Sequence, residues 1–207
     1  MANQDAPFGF RAVGGMGSSY ETQGTSKYQI QDNYGGAIYQ GDMCMTGTGQ
    51  AGGGGSTSVT GYIDASAVGQ LNNVGAFNGC FYNDPTAQKP TWKNYYPGSI
   101  NITQGTIDAF VYDNPQQLYE VQGSTGAVIA QADMGNLVEL GTYAAGSTVN
   151  GHSKEEISNA TLTTTAMFRL LRISEDPSNS DISVAHANWI VRLNESIYYN
   201  RGTKITT

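Results

Sequence analysis

Charge is scarce in this sequence: Asp, Glu, Lys and Arg supply 13% of its 207 residues, about half the ~25% usual for soluble domains. The surface must therefore be covered by Gly, Ser, Thr, Asn and Gln, a covering common where proteins pack against other subunits. Basic residues are the rarer sign, and residues 1–150 carry four of them (Arg11, Lys27, Lys89, Lys93) against eleven acids. An acidic chain without a basic stripe is not built to track a phosphate backbone. Net charge otherwise speaks of solubility rather than function. Cysteine is nearly absent: Cys44 and Cys80 allow one disulfide but form no CxxC unit or ligand framework. No apolar run approaches the ~18 residues of a membrane span. The opening Met-Ala-Asn-Gln-Asp-Ala-Pro lacks a basic region and an apolar core, so synthesis and retention in a cytoplasm are expected.

What is abundant is glycine, 27 residues, which favours turns, bulges and long loops over helices. Between the glycines lie short apolar segments. In Asn188–Asn194, Trp189, Val191 and Leu193 fall on one face and Ile190, Arg192 and Asn194 on the other, the period of a half-buried strand. Its expected partner, Ala166–Ile173, also fits helical spacing through Leu162, Ala166, Leu170 and Ile173. The preceding Thr161 and Thr163–Thr165 favour a strand. Glu175–Ser180 is turn-forming, so the two runs are expected to be paired strands founding the core, with Phe168, Leu170, Trp189, Val191 and Leu193 inside.

Further strands are expected at Tyr28–Asp32, Ala37–Tyr39, Thr60–Asp64, Gly75–Tyr82, Thr106–Tyr112 and Leu118–Gln122, with Asp42–Thr46 suited to a buried strand end; Leu137–Leu140 leads on through a Gly/Ser/Thr-rich stretch to the C-terminal pair. Thr106–Tyr112 and Leu118–Gln122 look like a hairpin around Asp113–Gln117. Val128–Gly135 suits one or two helical turns ended by Gly135. Trp92, Tyr95 and Tyr96 read as an aromatic loop, more plausible as a lid over the core than as a contact surface. Short strands with turns between them and little helix argue for an all-β sandwich or barrel. The expected layout is an extended N-terminal arm, residues 1–28, and a β-rich body, 29–207, with loop insertions near 46–58 and 83–100. The arm's Pro7, Phe8 and Phe10 should not lie free in water; they fold back on the core or dock on a neighbour.

No chemistry stands out, and no catalytic, cofactor-binding or metal-ligating residue is assigned. His152 and His186 lack a nucleophile motif, and no ligand set clusters along the chain. Asp108, Asp113 and Glu120 flank the expected hairpin, where solvated acids are far more plausible than a glycosidase pair. Gln50–Ser58 lacks the Gly-Lys-Ser/Thr ending of a phosphate loop.

Several segments taken in order carry a likeness: Ala6–Arg11, Val111–Pro115 running into Leu118–Gln122, Gly151–Ser153, Thr163–Leu170, Asp176–Asn179 and Asn188–Asn194. Together they resemble the capsid decoration, or cement, proteins of tailed bacteriophages. The likeness spans most of residues 5–195, is weaker over 44–100, and the Gly52–Gly55 tract departs from it. It implies a non-enzymatic virion protein with a jelly-roll-like β body on the exterior of the head. It implies the major capsid protein as partner, a trimer as the oligomer, and no cofactor, nucleic acid or membrane. Pro7, Phe8, Phe10 and Arg11 are then the expected contact arm to capsid or neighbour. A tail or fibre protein is the first alternative, although fibres usually show repeats. A carbohydrate-binding β-module using Trp92, Tyr95 and Tyr96 is the second.

Overall fold

The computed structural model describes residues 3–17, 24–47, 61–125, 128–141, 145–158 and 166–198. The protein is all-β, with strands β1 (Arg11–Gly15), β2 (Ser26–Ile30), β3 (Met43–Gly47), β4 (Tyr62–Ala65), β5 (Asn73–Asp84) and β6 (Lys89–Lys93) in its first half. Then follow β7 (Ile107–Tyr112), β8 (Gln117–Gln122), β9 (Leu137–Leu140), β10 (Ile157–Ser158), β11 (Phe168–Ile173) and β12 (Asn188–Leu193). Gln131–Asp133 forms a 3-10 turn, closed by the Asp133 carboxylate on the Ala130 N–H at 2.8 Å. Gly135 follows at φ +87°, a left-handed position suited to glycine. The expected strand start at Thr161–Thr165, the Gly52–Gly55 tract and the rest of the Gln50–Ser58 loop lie outside the described residues.

Among the described residues, two six-stranded sheets form. One runs β1-β8-β12-β11-β9-β10, antiparallel throughout. The other runs β3-β4-β2-β7-β5-β6, and a further β3–β5 pairing closes five of its strands into a barrel. Twelve-residue β5 makes that closure possible. One edge pairs with β7, while the other pairs with β3 through Asn73–Ala76 and then with β6 from Cys80 onward. A bulge between Phe77 and Gly79 on the β7 side bends the strand.

Alternation of side chains assigns each strand to a core. Cys44, Phe77, Cys80, Ile107, Ala109 and Val111 fill the barrel with Tyr82 and Tyr96. Met43 and Ala76, one residue out of phase, point instead at the first sheet and join Phe10, Tyr119, Phe168, Leu170, Trp189 and Val191. Strand β3 is thus buried on both faces, which accounts for a sequence, Met-Cys-Met-Thr-Gly, with no polar alternation. Phe168, Leu170, Trp189, Val191 and Leu193 all lie in the inter-sheet core. The segment from Ala166 onward forms a strand rather than a helix, pairing Phe168 with Leu193 and Leu170 with Val191.

Three expectations are corrected and one open possibility, the disulfide, is closed. Strands β7 and β8 are not a hairpin: β7 lies between β2 and β5 in the barrel, and β8 between β1 and β12 in the other sheet. The Asp113–Gln116 stretch carries the chain from one sheet to the other, fastened where the Tyr119 hydroxyl donates to the Tyr112 carbonyl at 2.6 Å. The stretch 83–100 is not simply a loop, because it contains the end of β5 and all of β6. Ala37–Tyr39 is no strand; only isolated bridges, Ile38 to Tyr96 and Gln40 to His152, form there. Cys44 and Cys80 are buried free thiols, not a disulfide.

Candidate functional site

The N-terminal segment is tied down residue by residue. The Asn3 amide donates to the carbonyls of Asp181 and Ala185 at 2.8 and 2.9 Å. The Gln4 N–H donates to Asn179 Oδ1 at 3.0 Å, and the Gln4 carbonyl accepts from Asn179 and Gln122, each at 2.9 Å. The Ala6 N–H donates to Gln122 Oε1 at 3.0 Å. Gln122 and Asn179 are themselves buried, so two interior amides serve the backbone of this segment, as buried polar groups require.

Gly9 turns the chain inward at φ +74°. A Cβ there would fall 2.5 Å from Ser153 Cβ and 2.8 Å from the Gly41 carbonyl oxygen, so both conformation and space demand glycine. Phe10 then enters the inter-sheet core, its ring stacked on Phe168 at 4.5 Å and edge-on to Tyr119 at 6.2 Å. Arg11 begins β1, its guanidinium 4.5 Å above the Phe8 ring and 3.3 Å from Glu120. Of the four expected contact residues, Phe10 is interior. Pro7 and Phe8 are half-buried and Arg11 is exposed.

Pro7, Phe8 and Arg11 border a cleft of about 410 Å³ whose other wall includes Gln40, Asn78, Tyr112 and His152. Tyr112 and Phe110 alternate on the outer face of β7. Trp92 lies against Phe110 at 5.1 Å, and Phe81 stands opposite Trp92 in the β5–β6 ladder. Phe110, Trp92 and Phe81 therefore form one aromatic patch on the outside of the barrel, while Tyr112 packs against the inter-sheet core and borders the cleft with Phe8. Trp92 and Phe81 are 50% and 40% exposed, unusual for aromatics of their size on a surface with no partner. Charge around the patch and cleft is largely self-compensated: Arg11 pairs with Glu120, and Lys27 with Asp108 at 2.7 Å.

Trp92, Tyr95 and Tyr96 do not form one platform. Trp92 belongs to β6, Tyr95 stacks on Tyr39 at 5.8 Å, and Tyr96 is wholly buried with its hydroxyl on the Tyr34 carbonyl. The three acids once grouped around a hairpin are also apart. Asp108 faces Lys27, Asp113 accepts from Ser26 and Tyr28, and Glu120 receives the Ser174 hydroxyl.

Buried acids hold backbone. Asp42 accepts the Tyr39 N–H at 2.7 Å, and Glu155 accepts the Met43 N–H at 2.8 Å. Burial lifts the Asp42 carboxyl from 3.8 to about 6, against hydrogen bonds from Ser153 and Tyr39 that lower it. Its folded pKa lies above the unfolded value, so its contribution to stability is complete below pH ~4 and is lost as pH rises through ~6. The loss is on the order of 2–3 kcal/mol. Asp42→Asn is expected to remove that component, measured as the difference between wild-type and variant urea-unfolding free energies from pH 4 to 7.

One cluster escaped the sequence altogether. Asp5, Glu156 and His186 present ligand atoms that all lie within 4.8 Å of one another. No spacing signal could reveal it, because the three residues come from the N-terminal segment, the entry to β10 and the loop before β12. His152, by contrast, is exposed at the cleft rim. Comparison with protein-family models, curated proteins and solved structures finds no match.

Proposed function

We propose that this chain is a non-enzymatic virion structural protein that binds the exterior of a tailed-phage head and stabilises the expanded shell by bridging major capsid protein subunits. The observation that carries the reading is the aromatic patch Phe110–Trp92–Phe81, beside the Phe8-lined cleft, on an otherwise polar, weakly charged barrel wall. Exposed aromatics with few free charges are the composition of an interface centre. The ordered segments resembling capsid decoration proteins supply the identity of the partner.

On this reading Pro7, Phe8 and Arg11 are contact residues, while Phe10 anchors the segment that displays them. Attachment as a trimer gives three weak contacts a shared effective concentration. Binding only to the expanded lattice stabilises that lattice by mass action. The chain acts on the head exterior, with no cofactor and no nucleic-acid or membrane partner.

Heads lacking this protein, expanded and unexpanded, test the proposal by co-sedimentation with the purified chain. Saturable binding to expanded heads, with little to the unexpanded form, is expected. Absence of binding to expanded heads refutes it.

A further inference from the structure

The geometry points to a divalent transition-metal site, of the zinc class, formed by Asp5, Glu156 and His186, which would clasp the N-terminal segment to the end of the first sheet. It goes beyond the capsid reading and does not depend on it.

Glu156 is nine-tenths buried, at 9% exposure, and its Oε1 has neither solvent nor a hydrogen-bond partner. A buried carboxylate oxygen without a donor is costly and calls for a cation or a proton. His186 Nδ1 is likewise buried without a hydrogen bond, facing Asp5 Oδ1 at 3.6 Å. His186 also sits at φ +65°, an uncommon conformation for a residue other than glycine, and this places its ring beside the two acids. Asp5 is held between Gln4, pinned by Asn179 and Gln122, and Ala6, pinned by Gln122.

One imidazole nitrogen and two carboxylates form a donor set that suits zinc, with a fourth position left for water. Bonds of about 2.0–2.1 Å put neighbouring tetrahedral ligands about 3.3–3.4 Å apart. Ligand atoms already within 4.8 Å reach that spacing by small side-chain rotations. The charge also fits. A divalent cation offsets the two carboxylates held side by side, one of them buried.

The test titrates Zn²⁺ into chelator-treated full-length protein by calorimetry and repeats it with Co²⁺ by absorption. One equivalent should bind, and saturating Zn²⁺ should raise the melting temperature by ~5 °C. Glu156→Gln keeps the shape and His186→Asn tolerates the backbone conformation. Each should weaken binding tenfold or more while melting like wild type without metal. His152→Ala should bind normally. The site is refuted if wild type binds no Zn²⁺ at about 100 µM, if binding survives both substitutions, or if Co²⁺ gives a thiolate charge-transfer band that assigns the metal to Cys44 or Cys80.

Discussion

Replacing Phe10 by alanine is expected to lower the unfolding free energy by about 3–5 kcal/mol, the cost of emptying an aromatic site in a packed core. The ring is 2% exposed and in contact with Phe168 and Tyr119. Those two aromatics come from β11 and β8, so the void would open between the two sheets, over the middle of the first. Neighbouring strands are held by ladder hydrogen bonds and cannot simply collapse into it. Phe8→Ala is the internal control: its ring is half-buried, and about 1 kcal/mol or less should be lost. Urea unfolding of both variants measures the contrast. Equal small losses would mean that Phe10 does not anchor the segment in solution. The same reasoning makes deletion of residues 2–12 a poor probe of contact, because it removes a core residue and part of β1 along with the exposed side chains.

The second large effect belongs to the outer patch. Trp92→Glu combined with Phe110→Ala should reduce occupancy on expanded heads at least tenfold, since central aromatics at interfaces commonly contribute 2 kcal/mol or more. Trp92 is half-exposed on edge strand β6, and its ring reaches over Gly79 of β5 to the Phe110 ring on β7, 5.1 Å away. Loss of both removes apolar contact without opening a core cavity, so stability should change by about 1 kcal/mol or less. Binding measured by co-sedimentation and stability by urea unfolding separate the two roles. Wild-type occupancy in the double variant would move the contact face elsewhere.

How much of this was legible in the sequence varies by element, for physical reasons. Trp189, Val191 and Leu193 announced β12 by their alternation, although the strand is not half-buried as expected: Asn188, Ile190 and Asn194 on its other face are buried too. β3 gave no such signal, since its two faces look into two different cores. The β7–β8 error has a definite source. Alternation shows that Ile107–Tyr112 and Gln117–Gln122 are strands, but pairing depends on where the chain crosses between sheets. Asp113–Gln116 has a composition equally suited to a hairpin loop and to a crossover. Trp92 reads as part of a loop, yet it lies on β6, which accommodates Pro90 because it is at a sheet edge, where proline is tolerated. Phe10 was flagged as an aromatic needing cover; only the path imposed by Gly9 shows that the cover is the protein's own core. The Asp5–Glu156–His186 cluster could not be seen at all, because tertiary structure alone joins residues so distant in sequence.

Location on the particle tests the central claim most directly. Immunogold electron microscopy of virions encoding this chain, with an antibody to its described strands, should show label distributed over the head. Label confined to the tail, or no label where the antigen is shown to be accessible, would contradict a role on the capsid exterior.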